Sequence, residues 1–243
     1  EYKFKDHEGL YTDMNAIRAS EEPDNTHSFY VDQWDWELII DKDDRNETYL
    51  KQVVETIYRT MKSLDEYLCG LIPTRKKLLK DQIRFMSSEE LLQKYPDKTA
   101  KERERLAAKE YGAIFLSQIG TILSNGDKHD NRAPDYDDWL LNGDIIVYNP
   151  VLDDALELSS MGIRVDSNRL NEQLKQSGNL DRLKYDYHRM LLDDKLPQTI
   201  GGGIGQSRLC MFFLQKAHIG EVQVSYWPDD QRRTLANKGI QLL

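Results

Sequence analysis

Apolar residues recur along this chain in two periods, and the two periods mark out its elements. Leu50, Val53, Val54, Ile57, Met61, Leu64 and Leu68 fall three and four apart, the spacing that lays one stripe along a helix. Asp44-x-x-Glu47 precedes the stripe and reads as a capping box. From His27 to Ile40 the period is two, in a run rich in aromatic and β-branched residues, which predicts a long strand. Alternation puts Phe29, Val31, Gln33, Asp35 and Glu37 on one face, and Tyr30, Asp32, Trp34 and Trp36 on the other. An amide and two carboxylates on one strand face are costly to bury without partners. That face is therefore either solvated or holds a polar ligand.

The remaining pattern is shorter in wavelength. Ser87-x-x-Glu90 and Thr99-x-x-Glu102 are further capping boxes, for helices that stop near Pro96 and Gly112. Short strands are predicted at 81–86, 113–119, 144–148 and 155–165, and amphipathic helices at 167–176 and 180–192. Residues 1–26 are polar, with a mobile loop at 21–25. Strands and helices do not alternate regularly and no repeat is present. The pattern predicts an α+β fold on a mostly antiparallel sheet.

One stretch breaks the periodicity: Gly201-Gly202-Gly203-Ile204-Gly205-Gln206-Ser207-Arg208, followed by the apolar run 209–214. Four glycines clear side chains from the backbone, so that a flat ligand can lie against it. The apolar run predicts a buried helix. Arg208 then stands near its start, where free N–H groups favour an anion. Neither the phosphate-binding G-x-x-x-x-G-K-[ST] pattern nor a dinucleotide fingerprint is present, since the sixth position of Gly203-x-Gly205-x-x-Arg208 is arginine.

Composition narrows the picture. The 243 residues are 39% hydrophobic and 31% charged, enough for one large domain or two small ones. A net charge of −9 argues against a broad nucleic-acid surface. Cys69 and Cys210 make no disulfide framework, and Cys210, inside the apolar run, reads as a buried free thiol suited to a reducing compartment. No run reaches membrane-spanning length and residues 1–4 hold no apolar signal core, so a soluble, cytoplasmic protein is expected. Residues 127–138 concentrate acids around His129 but lack the glycine and terminal glutamate of a calcium loop. The five histidines share no metal spacing, and His188 and His218 read as helix-end or surface residues.

Three segments together resemble a known arrangement. Arg18-Ala19-Ser20-Glu21, a loop and then residues 29–37 resemble motif 2 of class II aminoacyl-tRNA synthetases, and residues 203–208 resemble motif 3. Glu157-Leu158-Ser159-Ser160-Met161-Gly162-Ile163-Arg164 resembles the acid and arginine strand of the aspartate-using members. Whole strings, among them residues 31–37, 132–139, 157–166 and 197–209, are closely similar to the ammonia-dependent asparagine synthetases, the aspartate–ammonia ligase family. The likeness covers essentially the whole chain. It implies a single class II synthetase-like catalytic domain over residues 1–243. The family carries about eighty residues before this start, with a dimer-forming element, and a short loop where Trp139 here runs directly into Leu140.

The resemblance implies formation of L-asparagine from L-aspartate and ammonia through β-aspartyl-AMP, with ATP as co-substrate, Mg²⁺ as cofactor and a homodimer as the assembly. It assigns Arg18 and Gln33 to catalysis. Asp35, Arg132, Asp137, Ser159, Ser160 and Arg164 go to aspartate. Arg18, Glu21, Gly203, Gly205 and Arg208 go to ATP, and Asp144 and Glu157 to the metal. Glu157 and Arg164 lie an odd number of residues apart, so a bulge near 160–162 is predicted if both serve one site. Two rival readings remain: an aspartyl- or asparaginyl-tRNA synthetase-like core, and a non-catalytic synthetase-like binding protein.

Overall fold

The computed structural model describes residues 3–243; Glu1 and Tyr2, part of the segment read as lacking a signal core, lie outside it. Seven strands form one sheet: β1 (Gly9–Ile17), β2 (Tyr30–Ile39), β3 (Arg84–Ser87), β4 (Ala113–Ser117), β5 (Asp137–Asn149), β6 (Asp154–Arg164) and β7 (Thr199–Gly205). Their order is β1-β2-β7-β6-β5-β4-β3. Only β3 and β4 pair in parallel, and that crossover carries two helices, α2 (Ser88–Lys94) and α3 (Ala100–Tyr111). The antiparallel α+β architecture predicted from the pattern is the one observed.

Helix α1 (Glu47–Leu71) buries Leu50, Val54, Tyr58 and Met61 against Phe115, Ile145, Leu158, Ile163 and Phe212. Its cap is Asn46, whose side chain accepts from the Tyr49 N–H at 2.9 Å. Asp44, the cap expected from sequence, ends a 3₁₀ turn instead, and Leu64 of the expected stripe is exposed. Ser87 and Thr99 do form reciprocal capping boxes with Glu90 and Glu102. Gly112, at φ +83°, ends α3 in the left-handed region that favours glycine.

Several expectations are corrected. Strand β1 lies in a region read only as polar; it is an edge strand with almost every side chain exposed, so no apolar alternation marks it. Strand β5 begins at Asp137, seven residues before its predicted start, and runs on through Trp139 and Leu140. The predicted helix 180–192 is a 3₁₀ turn (Leu180–Lys184) and a short α5 (Asp186–Leu192), separated by extended Tyr185. The 3₁₀ turn follows α4 (Ser167–Gln176) across Ser177, Gly178 and Asn179. In α6 (Gln206–Phe213), Leu209, Met211, Phe212 and Phe213 face inward and Cys210 is turned outward, so that thiol is exposed. His188 and His218 are buried, not surface residues, but His218 does stand at a helix end, capping the 3₁₀ turn Ile219–Glu221. A last helix, α7 (Asp229–Asn237), buries only Leu235. Among the described residues no helix is long and apolar enough to cross a membrane.

Candidate active site

Sheet register does what sequence distance conceals. Asp35 on β2 pairs with Gly203 on β7, Gly203 with Ser160 on β6, and Ser160 with Asp144 on β5. Residues directly opposite in a sheet point to the same side, so these four form one transverse row. Its centre is a glycine for a steric reason: a Cβ on Gly203 would stand 2.7 Å from Asp35 Oδ1. Gly201, one row along, sits beneath Glu37 and Arg164 and has no room for a Cβ either. The glycine run is thus a strand with a bare face.

The bulge that the spacing of Glu157 and Arg164 requires is present, but at Leu158. Ile145 and Ile146 on β5 face Ser159 and Glu157, leaving Leu158 as the extra residue. The shift brings Glu157 to the side of Ser160 and Arg164, and all three line one cavity.

Two adjoining lobes open over this row. The smaller, about 220 Å³, is bounded by Arg18, Glu21, His27, Ser159, Gly205 and Arg208. The larger, about 480 Å³, is bounded by Asp35, Arg132, Tyr136, Asp137, Ser160 and Arg164. Arg18, Gln33, Glu157 and Gly203 belong to both. Arg18 follows β1 where its N–H bonds the Phe29 carbonyl at 2.8 Å, and it pairs with Glu21 at 3.7 Å. Arg208, in the first turn of α6, is steadied by the carbonyls of Thr26 (3.4 Å) and Glu157 (3.2 Å). Arginines 190 residues apart in sequence therefore reach one cavity. A further cavity of about 740 Å³ opens on the other face of β2, walled by Trp34, Trp36, Leu38, Val53 and Ile57; its lining is mostly apolar, with Gln52 and Thr56, and has none of the candidate residues.

The remaining assigned residues are not all free to meet a ligand. Arg164 gives Nε and Nη2 to the Glu37 carboxylate at 3.0 and 2.8 Å, and Nη1 to Asp137. Its guanidinium also stacks 3.8 Å from the Tyr136 ring centre. Ser159 spends its hydroxyl on the Gly203 carbonyl at 2.9 Å. Asp144 lines neither lobe: it lies behind Arg132, which donates to it and, at 3.1 Å, to Ser160 Oγ. Glu37 and Tyr136 were not assigned from sequence. Alternation does put Glu37 on the Gln33–Asp35 face, but nothing local foretells its bond to an arginine 127 residues away.

Burial dominates the electrostatics. It raises Asp35, only partly offset by Arg164 and Arg18, and raises Asp137 despite Arg164. Burial, then the nearby charge of Glu157, pushes Asp144 up to about 7 although Arg132 opposes this. Asp144 Oδ1 is buried without a partner. An unsatisfied carboxylate oxygen beside a second carboxylate is a donor set suited to a hard divalent cation.

Asp144 supports a stability prediction. Unfolded, its carboxyl loses the proton near 3.8; folded, it keeps it to about 7. Between those values the unfolded chain binds fewer protons, so this group makes the fold less stable as pH rises. In EDTA, wild type should lose stability relative to Asp144→Asn between about pH 4 and about pH 7 in urea titrations, and the difference should level off above that. A difference that does not vary with pH would mean that the carboxyl is ionised throughout.

A sequence model described as aspartate–ammonia ligase matches residues 1–239. Proteins named aspartate–ammonia ligase from Clostridium perfringens and Clostridium tetani are 56% and 57% identical to this chain over 242 residues, all of this chain and 72% and 71% of theirs. One from Fusobacterium nucleatum is 57% identical and 74% covered. Among solved structures, the fold is similar to asparaginyl-tRNA synthetases in complex with asparaginyl-adenylate. The one from Entamoeba histolytica has a TM-score of 0.62 at 17% identity, over 88% of this chain and 51% of that one. The one from Pyrococcus horikoshii has a TM-score of 0.60 at 18% identity, over 88% of this chain and likewise 51% of that one. At such identities the likeness establishes the class II synthetase fold.

Proposed function

The chain belongs to the aspartate–ammonia ligase family, and on that premise we propose that aspartate and ATP meet in its two-lobed cavity. The enzyme makes L-asparagine from L-aspartate and ammonia. A carboxylate is a poor acyl electrophile, so activation precedes amide formation. The β-carboxylate oxygen attacks the α-phosphorus, the bond to the bridging oxygen breaks and diphosphate leaves. Ammonia then attacks the acyl carbon, AMP departs with the electron pair, and a proton is lost from nitrogen.

The single observation that carries this reading is the convergence of Arg18 and Arg208 on one lobe that adjoins a carboxylate-rich second lobe. Arg18 belongs to both, where the carboxylate and α-phosphate must approach, and steadies charge developing in the displacement. Arg208 takes the adenine or outer phosphates; Glu21 takes the adenine amino group. Gly203 and Gly205 give the nucleotide a floor without side chains. Gln33, at the junction, orients the acyl group. In the larger lobe Asp35 and Asp137 receive the substrate ammonium, and Arg132 with Ser160 its α-carboxylate. Because Arg164 is already saturated by Glu37 and Asp137, its part is to hold those acids in place. Ser159 fixes the strand that bears Glu157. Asp144 and Glu157 would hold Mg²⁺, whose charge, when bound, offsets that of the phosphate oxygens. We propose the chain acts as one catalytic unit within a homodimer.

Incubation of the protein with ATP, Mg²⁺, aspartate and ammonium should yield asparagine and AMP in equal amounts. AMP formed only when tRNA is added, or no turnover with any nitrogen source, would overturn the reading.

A further inference from the structure

The stretch from His129 to Tyr136 carries Arg132 and Tyr136 into the larger lobe, yet belongs to no helix or strand. Irregular backbone of this kind samples many conformations unless side chains tie it down. Here it is tied near both ends by buried histidines. His129, its side chain 1% exposed, sets Nε2 2.8 Å from Glu104 Oε1 on α3. Six residues on, Asp135 Oδ2 lies 3.0 Å from Nε2 of buried His188 on α5. The same carboxylate accepts from Arg182 at 3.0 and 3.1 Å. Just beyond, Gln173 of α4 donates to the carbonyls of Pro134 and Asp137, both at 3.0 Å.

Arg132 lies midway, three residues from each anchor. Burial raises both anchoring carboxyls, but His129 together with Lys101 at Glu104, and Arg182 together with His188 at Asp135, outweigh it, so both stay below their ordinary values. Each imidazole has its Nδ1 buried without a partner, which leaves the bond through Nε2 as its polar anchor. Neither histidine lines the cavity.

We propose that His129 and His188 are positioning residues: the His129–Glu104 and His188–Asp135 pairs fix segment 129–135 so that Arg132 stands on Ser160 and Asp144, set for the carboxylate of the amino-acid substrate. The proposal rests on the reading of Arg132 as that carboxylate's partner. Ordering the segment beforehand spares substrate binding the cost of immobilising it.

The test measures KM for aspartate and for ATP, and kcat, in the full chain carrying His129→Ala, His188→Ala, Arg132→Ala and the two His/Arg132 doubles. Each histidine variant should raise the aspartate KM roughly tenfold and leave the ATP KM unchanged. His129→Gln and His188→Gln, which return an amide N–H to the place of Nε2, should recover most of the loss. Because the histidines act through the arginine, each double should be no worse than Arg132→Ala alone. Additive effects, or equal rises in both KM values, would overturn the proposal and leave the histidines structural. Should an alanine variant fail to fold, its glutamine variant decides: an aspartate KM near wild type supports the pairs, and a tenfold rise overturns them. The underlying reading is checked separately, because Arg132→Ala with an unchanged aspartate KM sinks that reading whatever the histidines do.

Discussion

Arg208→Ala should lower ATP-dependent asparagine formation by about 10²–10³-fold, the loss typical when one preorganised donor to developing charge is removed. The side chain spans from the first turn of α6 to the Thr26 and Glu157 carbonyls, and it bounds the smaller lobe. Its carbonyl contacts are partly solvated, so their loss is minor for the fold and the melting temperature should barely move. The loss should appear in kcat/KM for ATP and in single-turnover formation of the adenylate. Near-normal turnover would mean that the nucleotide sits elsewhere and that the lobe has been misread.

The second large effect concerns stability as much as catalysis. In Arg164→Ala, Glu37 and Asp137 lose the buried guanidinium that bridges them, and Asp137 is left on the wall of the larger lobe without its ion-pair partner. Breaking a buried pair by removing one partner costs about 3–5 kcal/mol. Urea denaturation should register it, with aspartate turnover falling in parallel. Arg164→Lys should rescue little, since a lysine ammonium cannot serve Glu37 through two parallel bonds and reach Asp137 as well. A loss below about 1 kcal/mol would show that the two acids take up protons or water at little cost.

These two arginines differ in how far they could be read in advance. Arg208 follows a glycine run and precedes an apolar helix, and its place near the helix start holds. For Arg164 the resemblance offers a role toward the substrate carboxylate. The carboxylates it meets first are the protein's own, one on β2 and one at the start of β5. Asp144 shows the same limit. Sequence marks it as the first residue of a predicted strand, but its depth, its Arg132 partner and its raised pKa come from a position across the sheet.

What the sequence by itself determined is local or repetitive. The stripe of α1, the capping boxes of α2 and α3 and the two faces of β2 follow from residue spacing alone, because dihedral periods and capping bonds act within a few residues; the bulge between Glu157 and Arg164 needed the resemblance as well, which put both in one site. The family strings added the reaction. Only the tertiary structure decided which acids pair with which arginines, where the bulge falls, that an exposed edge forms β1, and that buried histidines meet carboxylates at both ends of the Arg132 segment. Those outcomes depend on strand order and register. Gly203 meets Asp35 and Ser160 because β7 lies between β2 and β6, and no window along the chain contains that fact.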